Sequence, residues 1–120
     1  MHIVVLAAAE SWYFRDLQRA AGTRHELTPL SHTQLAVRLE GGASQMRHGG
    51  AGDGIVAPQA VLVRSMPPGS LEQIVFRMDL LARWEAAGVA VVNSAKAIEA
   101  AVDKYLALAK LQSAGLDVPP

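Results

Sequence analysis

The residues with the clearest capacity for chemistry sit at the ends of short apolar runs. Arg64 closes the run Ala60-Val61-Leu62-Val63 and is followed by Ser65-Met66-Pro67-Pro68-Gly69. A guanidinium at the carboxyl end of a buried strand lies where open α/β sheets bind ligands, and its planar fork suits a carboxylate or phosphate. The plainer reading of Arg64 is a side chain that caps the loop or pairs with a local acid. Lys104 opens the last helical stretch beside leucines, as a solvated or snorkelling cation or as a partner for a phosphate at a domain boundary. Familiar signatures are missing. The turn after the first apolar run is Ala7-Ala8-Ala9-Glu10-Ser11, without G-x-G-x-x-G, and there is no Walker loop. His2, His25, His32 and His48 fall on different elements without metal-ligand spacing, which reads as surface or loop histidines. Ser11 and Ser65 have no elbow glycines to make either a nucleophile.

The elements that would position these groups alternate between two patterns. Ile3-Val4-Val5-Leu6 is continuous rather than alternating, as expected of a buried parallel strand over 3–7. A helix should begin near Ser11, with Trp12, Phe14, Leu17 and Ala21 on its apolar face and Gly22 as its stop. His25 to Leu30 reads as a second strand, and Gln34 to Leu39 as an alternating one. Residues 41–54, GGASQMRHGGAGDG, read as a glycine-rich flexible loop with a hairpin tip as the alternative. Ala60–Val63 is a third strand. Ser70 and Gln73 form an S-x-x-Q capping box for a long helix that Gly88 ends. Val89–Val92 is a fourth strand, Asn93-Ser94 caps a helical stretch to Ala100, and a last helix runs from about 102 to 114, stopped by Gly115. Strands separated by helices require crossovers, so the fold class is α/β with a mostly parallel sheet of about four strands between helices.

The helix over 70–87 carries two apolar stripes. Leu71, Ile74, Val75, Met78, Leu81 and Ala82 form the one expected to face the sheet. Phe76, Leu80 and Trp84 recur at i, i+4, i+8 on the other side. A second apolar face needs a cover, which predicts a homodimer or domain interface at Phe76, Leu80 and Trp84; a tucked glycine-rich segment is the alternative. The last helix likewise sets Val102, Tyr105, Leu106 and Ala109 against Lys104, Leu108 and Leu111.

Length and composition bound the rest. At 120 residues and 12.7 kDa the chain suits one domain, 1–120, and should bury about two-thirds of its unfolded surface. The hydrophobic fraction of 51% and zero net charge exclude a disordered chain, and the lack of cysteine excludes a disulfide scaffold. Eleven basic residues balance eleven acidic ones with no basic excess in either half, which disfavours nucleic acid or an anionic membrane as partner. The opening apolar run has no cationic flank and is too short to span a bilayer, so the expected compartment is the cytoplasm.

The segment from Val61 to Pro120 resembles the RimK-like ATP-grasp ligases. The matching features are the strand ending in Arg64, the helix over 70–87, the Val-Val-Asn-Ser strand end at 91–94, and the Asp103-Lys104 pair opening the final helix. The run Ser70–Asp79 is most similar to the branch that glutamylates tetrahydromethanopterin-type cofactors. Residues 1–35 agree in layout only. The resemblance implies an N-terminal, Rossmann-like preATP-grasp domain, with ATP-grasp modules downstream of this chain. Such ligases use ATP and Mg2+ to form an acylphosphate that an amino acid's amine displaces. By the same resemblance Lys104 approaches the nucleotide phosphates, while Arg64, Asn93 and Ser94 border the substrate cleft. L-glutamate and an acidic cofactor or peptide acceptor are then the expected substrates. The metal ligands lie outside the chain, and the 120 residues by themselves are expected to be inactive. The alternative is a non-catalytic α/β interaction domain that dimerises through the 70–87 helix.

Overall fold

The computed structural model describes residues 1–41, 43–49 and 54–119. The continuous aliphatic runs form strands with both faces covered. In β1 (His2–Leu6), Val4, Val5 and Leu6 have no solvent exposure. Ser11 starts α1 (Trp12–Ala21), its Oγ accepting from the Phe14 N–H at 3.3 Å, and Gly22 ends it at φ 55°. β2 (Glu26–Leu30) pairs parallel with β1, His2 opposite Glu26. Pro29 fits within β2 because this strand is at the sheet edge, where a missing N–H breaks no ladder.

A 3-10 turn (His32–Gln34) leads into a second, antiparallel sheet of β3 (Leu35–Glu40), β4 (Ala43–His48) and β5 (Gly54–Ile55). The chain then returns to the first sheet as β6 (Ala60–Val63), rises through α2 (Leu71–Ala86), adds β7 (Ala90–Val92), and finishes in α3 (Ala95–Val102) and α4 (Lys104–Ser113). The main sheet has the order β2-β1-β6-β7, and every pairing in it is parallel. The α/β class and the four-stranded parallel sheet stand as the alternation of runs and helices indicates.

Two apolar clusters hold the layers. On one face Val5 and Ala7 meet Phe14 of α1, with Leu17 and Leu62 against them. On the other, Val4, Leu6, Val61 and Val63 meet Leu80, Leu81 and Trp84 of α2, and Leu35, Met46 and Val56 from the second sheet join the same cluster. The capping box of α2 is complete, Ser70 Oγ accepting from Gln73 N–H and Gln73 Oε1 accepting from Ser70 N–H.

Three expectations are corrected. First, the 41–54 loop contains a six-residue strand: β4 pairs along all of β3, from Glu40 opposite Ala43 to Leu35 opposite His48. Gly41 at φ 58° begins the tight reversal, a backbone state that glycine takes without a Cβ penalty. The alternation in Ser44-Gln45-Met46-Arg47 is masked by polar composition, yet Met46 is buried in the core. Positions 42 and 50–53 of the expected loop lie outside the described residues.

Second, Phe76, Leu80 and Trp84 do not form an open interface. Leu80 and Trp84 are 2% and 3% exposed inside this chain's own core, and Phe76 alone of the three stays exposed. The inward face of α2 draws on both stripes: Leu81, from the one expected against the sheet, is buried with Leu80 and Trp84, while Leu71 and Val75 are exposed and Ile74 and Met78 are half-buried. Turning Leu80, Leu81 and Trp84 inward removes more apolar area from water than turning Leu71, Val75 and Ala82 inward would. The second sheet supplies the cover that a partner subunit was expected to give.

Third, Trp12 points off the core at 63% exposure, although Phe14 and Ala21 on the same helix are buried. Among the described residues no helix is long and apolar enough to cross a membrane.

Candidate functional site

The order in which strands are added to the main sheet reverses between β1 and β6. From β1 the chain goes outward to β2; it later returns on the other side at β6 and continues to β7. Loops leaving adjacent parallel strands in opposite directions open a crevice at their carboxyl ends. A cleft of about 530 Å³ lies there. Its walls are Ala7–Glu10 after β1, Ser31–Gln34 after β2, and Ser65–Pro67 after β6. The loop bases are fixed by the backbone: Ala7 N–H donates to Leu30 O at 3.1 Å and Ser65 N–H to Leu6 O at 3.1 Å.

Arg64 stands at this edge, but its side chain turns to the α1 side. The guanidinium carbon lies 3.9 Å from the Tyr13 ring centroid, a cation–π contact, and Tyr13 packs on Trp12 at 4.2 Å between centroids. The cleft wall is formed instead by the next three residues. Asn93 follows β7, and its Nδ2 donates to Val63 O at 3.2 Å, which joins the carboxyl ends of β6 and β7. Ser94 is occupied as the cap of α3, Oγ accepting from Ala97 N–H at 3.1 Å. The fold therefore gathers Arg64, Asn93 and Ser94 along one strand edge. Lys104 is not part of that cluster. It is exposed on the first turn of α4, directly after the capping Asp103, whose Oδ1 accepts from Leu106 N–H at 2.9 Å.

Two residues that sequence reasoning passed over are the buried polar groups of the structure. His32 and Arg77 are each 4% exposed. Arg77 belongs to the inward stripe of α2, at the first position of the series 77, 80, 81, 84. That i, i+3, i+4, i+7 spacing was the available signal: an arginine occupying a core position. Its Nη1 donates to Pro67 O, tying the Pro67-Pro68-Gly69 segment onto α2. The segment sits so close that a Cβ on Gly69 would lie 2.6 Å from Gln73 Oε1 and 3.1 Å from Arg77 Nη1. No carboxylate pairs with Arg77 among the described residues.

His32, expected with the surface histidines, is buried instead. It lines the main cleft and a second one of about 210 Å³ that it shares with Gln73, Phe76 and Arg77. Its Nε2 has no hydrogen-bond partner. Burial, and then the Arg77 charge, lower its pKa from 6.5 to about 4, so the ring is neutral at pH 7. Nothing in the local sequence marks this histidine, because its burial is created by α2 packing across the turn that carries it. Among the described residues, no group of three or more His, Cys, Asp or Glu is placed to hold a metal ion.

A doubly covered parallel sheet with its crevice at the switch point defines a nucleotide- or substrate-cleft type of α/β domain. Comparison with known proteins narrows it. No family model matches the chain. Over 60 residues, half of the chain, it is 47% identical to the tetrahydromethanopterin:alpha-L-glutamate ligase of Methanosarcina acetivorans. In fold it is similar to the ATP-grasp ligase PsnB complexed with a phosphomimetic variant of its minimal precursor, Mg and ADP. That match has a TM-score of 0.65 and 27% identity over 98% of this chain. The same ligase with precursor peptide PsnA2 and AMPPNP gives a TM-score of 0.61 at 28% identity. The chain spans 18% of the curated relative and 45% of each of these two solved ligase chains. These likenesses, in sequence to a glutamate ligase and in fold to an ATP-grasp ligase, agree with the resemblance to ATP-grasp ligases.

Proposed function

We propose that this chain is the N-terminal, preATP-grasp domain of an ATP-dependent carboxylate–amine ligase that adds L-glutamate to an acidic acceptor. The observation that carries the reading is the placement of the 530 Å³ cleft at the carboxyl edge of a parallel sheet, in a fold shared with ligases that bind nucleotide and peptide. The chain supplies one wall of the substrate cleft, and the downstream ATP-grasp modules supply the remainder. The chain by itself is inactive.

The roles of its residues follow from their positions. Arg64, braced on Tyr13, provides an exposed cation for the carboxylates of the acceptor. Asn93 keeps the β6 and β7 ends in register at the cleft edge, and Ser94 holds the start of α3 beside it. Lys104 is free to meet nucleotide phosphates and so to stabilise the charge that moves during acyl-phosphate formation. ATP supplies the energy that turns the acceptor carboxylate into a group an amine can attack. Magnesium, bound with ADP in a ligase of similar fold, would be held by residues outside this chain, and among the described residues no group of three or more His, Cys, Asp or Glu is placed to ligate it.

The decisive experiment reads the gene past residue 120 and measures ADP release by its full product against a panel of acidic acceptors. Release that requires both L-glutamate and an acceptor is expected. A gene that stops at residue 120, or release indifferent to glutamate, overturns the reading.

A further inference from the structure

Arg77 and His32 present a chemical imbalance inside the fold. A guanidinium has five N–H donors, and the hydrogen bond that Arg77 makes goes to a neutral carbonyl, Pro67 O. A cation that is 4% exposed without a carboxylate partner carries an uncompensated desolvation cost. It shares the 210 Å³ cleft with His32, whose Nε2 is, among the described residues, a buried side-chain nitrogen without a partner. The tether to Pro67 explains one nitrogen of Arg77 and neither its unbalanced charge nor the orphaned imidazole.

We propose that the Arg77–His32 cleft is a binding site for an oxyanion, a carboxylate or phosphate group that satisfies both side chains at once. The guanidinium contributes the charge and a planar pair of donors; the neutral imidazole, as its Nε2–H tautomer, contributes a further donor from the nitrogen left without a partner. Gln73, whose Oε1 is engaged by Ser70 N–H, lines the same cleft. His32 also lines the main cleft, so the site opens beside the substrate edge rather than on a remote surface. The charged residues lining the two clefts with His32 are Arg77 and Glu10. Only Arg77 acts on the ring, so neutralising that cation lets His32 take up a proton more readily. The inference deepens the ligase reading by giving the acidic substrate or the nucleotide a second point of attachment, but the site itself requires only this chain.

The test is an NMR titration of the His32 ring in the 120-residue chain, with glutarate, inorganic phosphate or chloride at matched ionic strength. Glutarate or phosphate should raise the His32 pKa by about one unit, a tenfold linkage between anion and proton. The salt that does so identifies the source as carboxylate or phosphate. Arg77→Lys, which keeps the charge but loses the fork, should weaken binding about tenfold. Arg19→Ala, on the surface of α1, should leave it unchanged. A His32 resonance that moves equally in chloride, or in none of the three salts, overturns the proposal even if Arg77→Lys fails to fold. Loss of glutamate-dependent ADP release with the anion still bound would overturn the ligase reading instead and leave this site standing.

Discussion

Helices α2 and α4 both carry leucines on more than one side, yet they end in opposite circumstances. Leu80, Leu81 and Trp84 of α2 are almost fully buried between the parallel sheet and the β3–β5 sheet. In α4 no residue is buried: Tyr105 is 82% exposed, and Leu108 and Leu111 remain open to solvent. The difference lies in what the chain places nearby. Leu35, Met46 and Val56 join the cluster of α2, whereas α4 packs mainly on α3. Apolar content on a helix thus reports a need for cover without saying which part of the molecule meets it.

The sharpest way to break this comparison is truncation on each helix. Trp84→Ala should cost about 3–5 kcal/mol, because the surrounding cluster cannot collapse into so large a cavity. Leu108→Ala should cost under about 1 kcal/mol in the isolated chain, since little of its surface leaves water on folding. Urea unfolding of the two variants measures both. Equal losses would show that α4 is as integral to the core as α2.

Next in size is the contribution of acid to the α2 side. His32 is neutral in the fold down to about pH 4 but protonates near 6.5 when unfolded. The unfolded chain therefore binds the extra proton between these values, and stability falls as pH drops from about 6.5 towards 4. The total reaches about 3 kcal/mol at most, at 1.36 kcal/mol per pKa unit. His32→Gln should flatten that part of the profile; an unchanged slope would mean that the ring is not neutral in the folded core. α4 contains no histidine, so its local fraying, followed by amide exchange, should not share this pH step.

The smallest expected stability effect is at Lys104. Lys104→Ala should change the unfolding free energy by less than about 0.5 kcal/mol, as for an exposed side chain without partners. In the longer ligase the same change should lower turnover tenfold or more if the ammonium meets the transferring phosphate. Unchanged turnover would return Lys104 to the solvated surface of α4.

Much of the fold was legible in the residues because its punctuation is local. Ser11, Ser70, Ser94 and Asp103 cap helices through bonds to residues three positions on. Gly22, Gly88 and Gly115 close them with positive φ. Of the candidate site, Arg64 and Asn93 could be placed at a strand edge from the apolar runs before them. The direction of the Arg64 side chain could not, because it depends on Tyr13, some fifty residues away in the chain. The strand over 43–48 was hidden because only Met46 shows its inward face, among polar neighbours.

Sequence alone was therefore sufficient for the strands of the parallel sheet, for the helices with their starts and stops, and for the likeness to an ATP-grasp ligase domain, but not for the strands over 43–48 and 54–55. Those properties rest on caps, glycines and apolar runs that act within a few residues. Tertiary structure decided which side chains of α2 turn inward, what covers them, and that an arginine and a histidine are buried beside each other. Each of these is settled by how much surface distant segments remove from water together, a quantity no single segment contains.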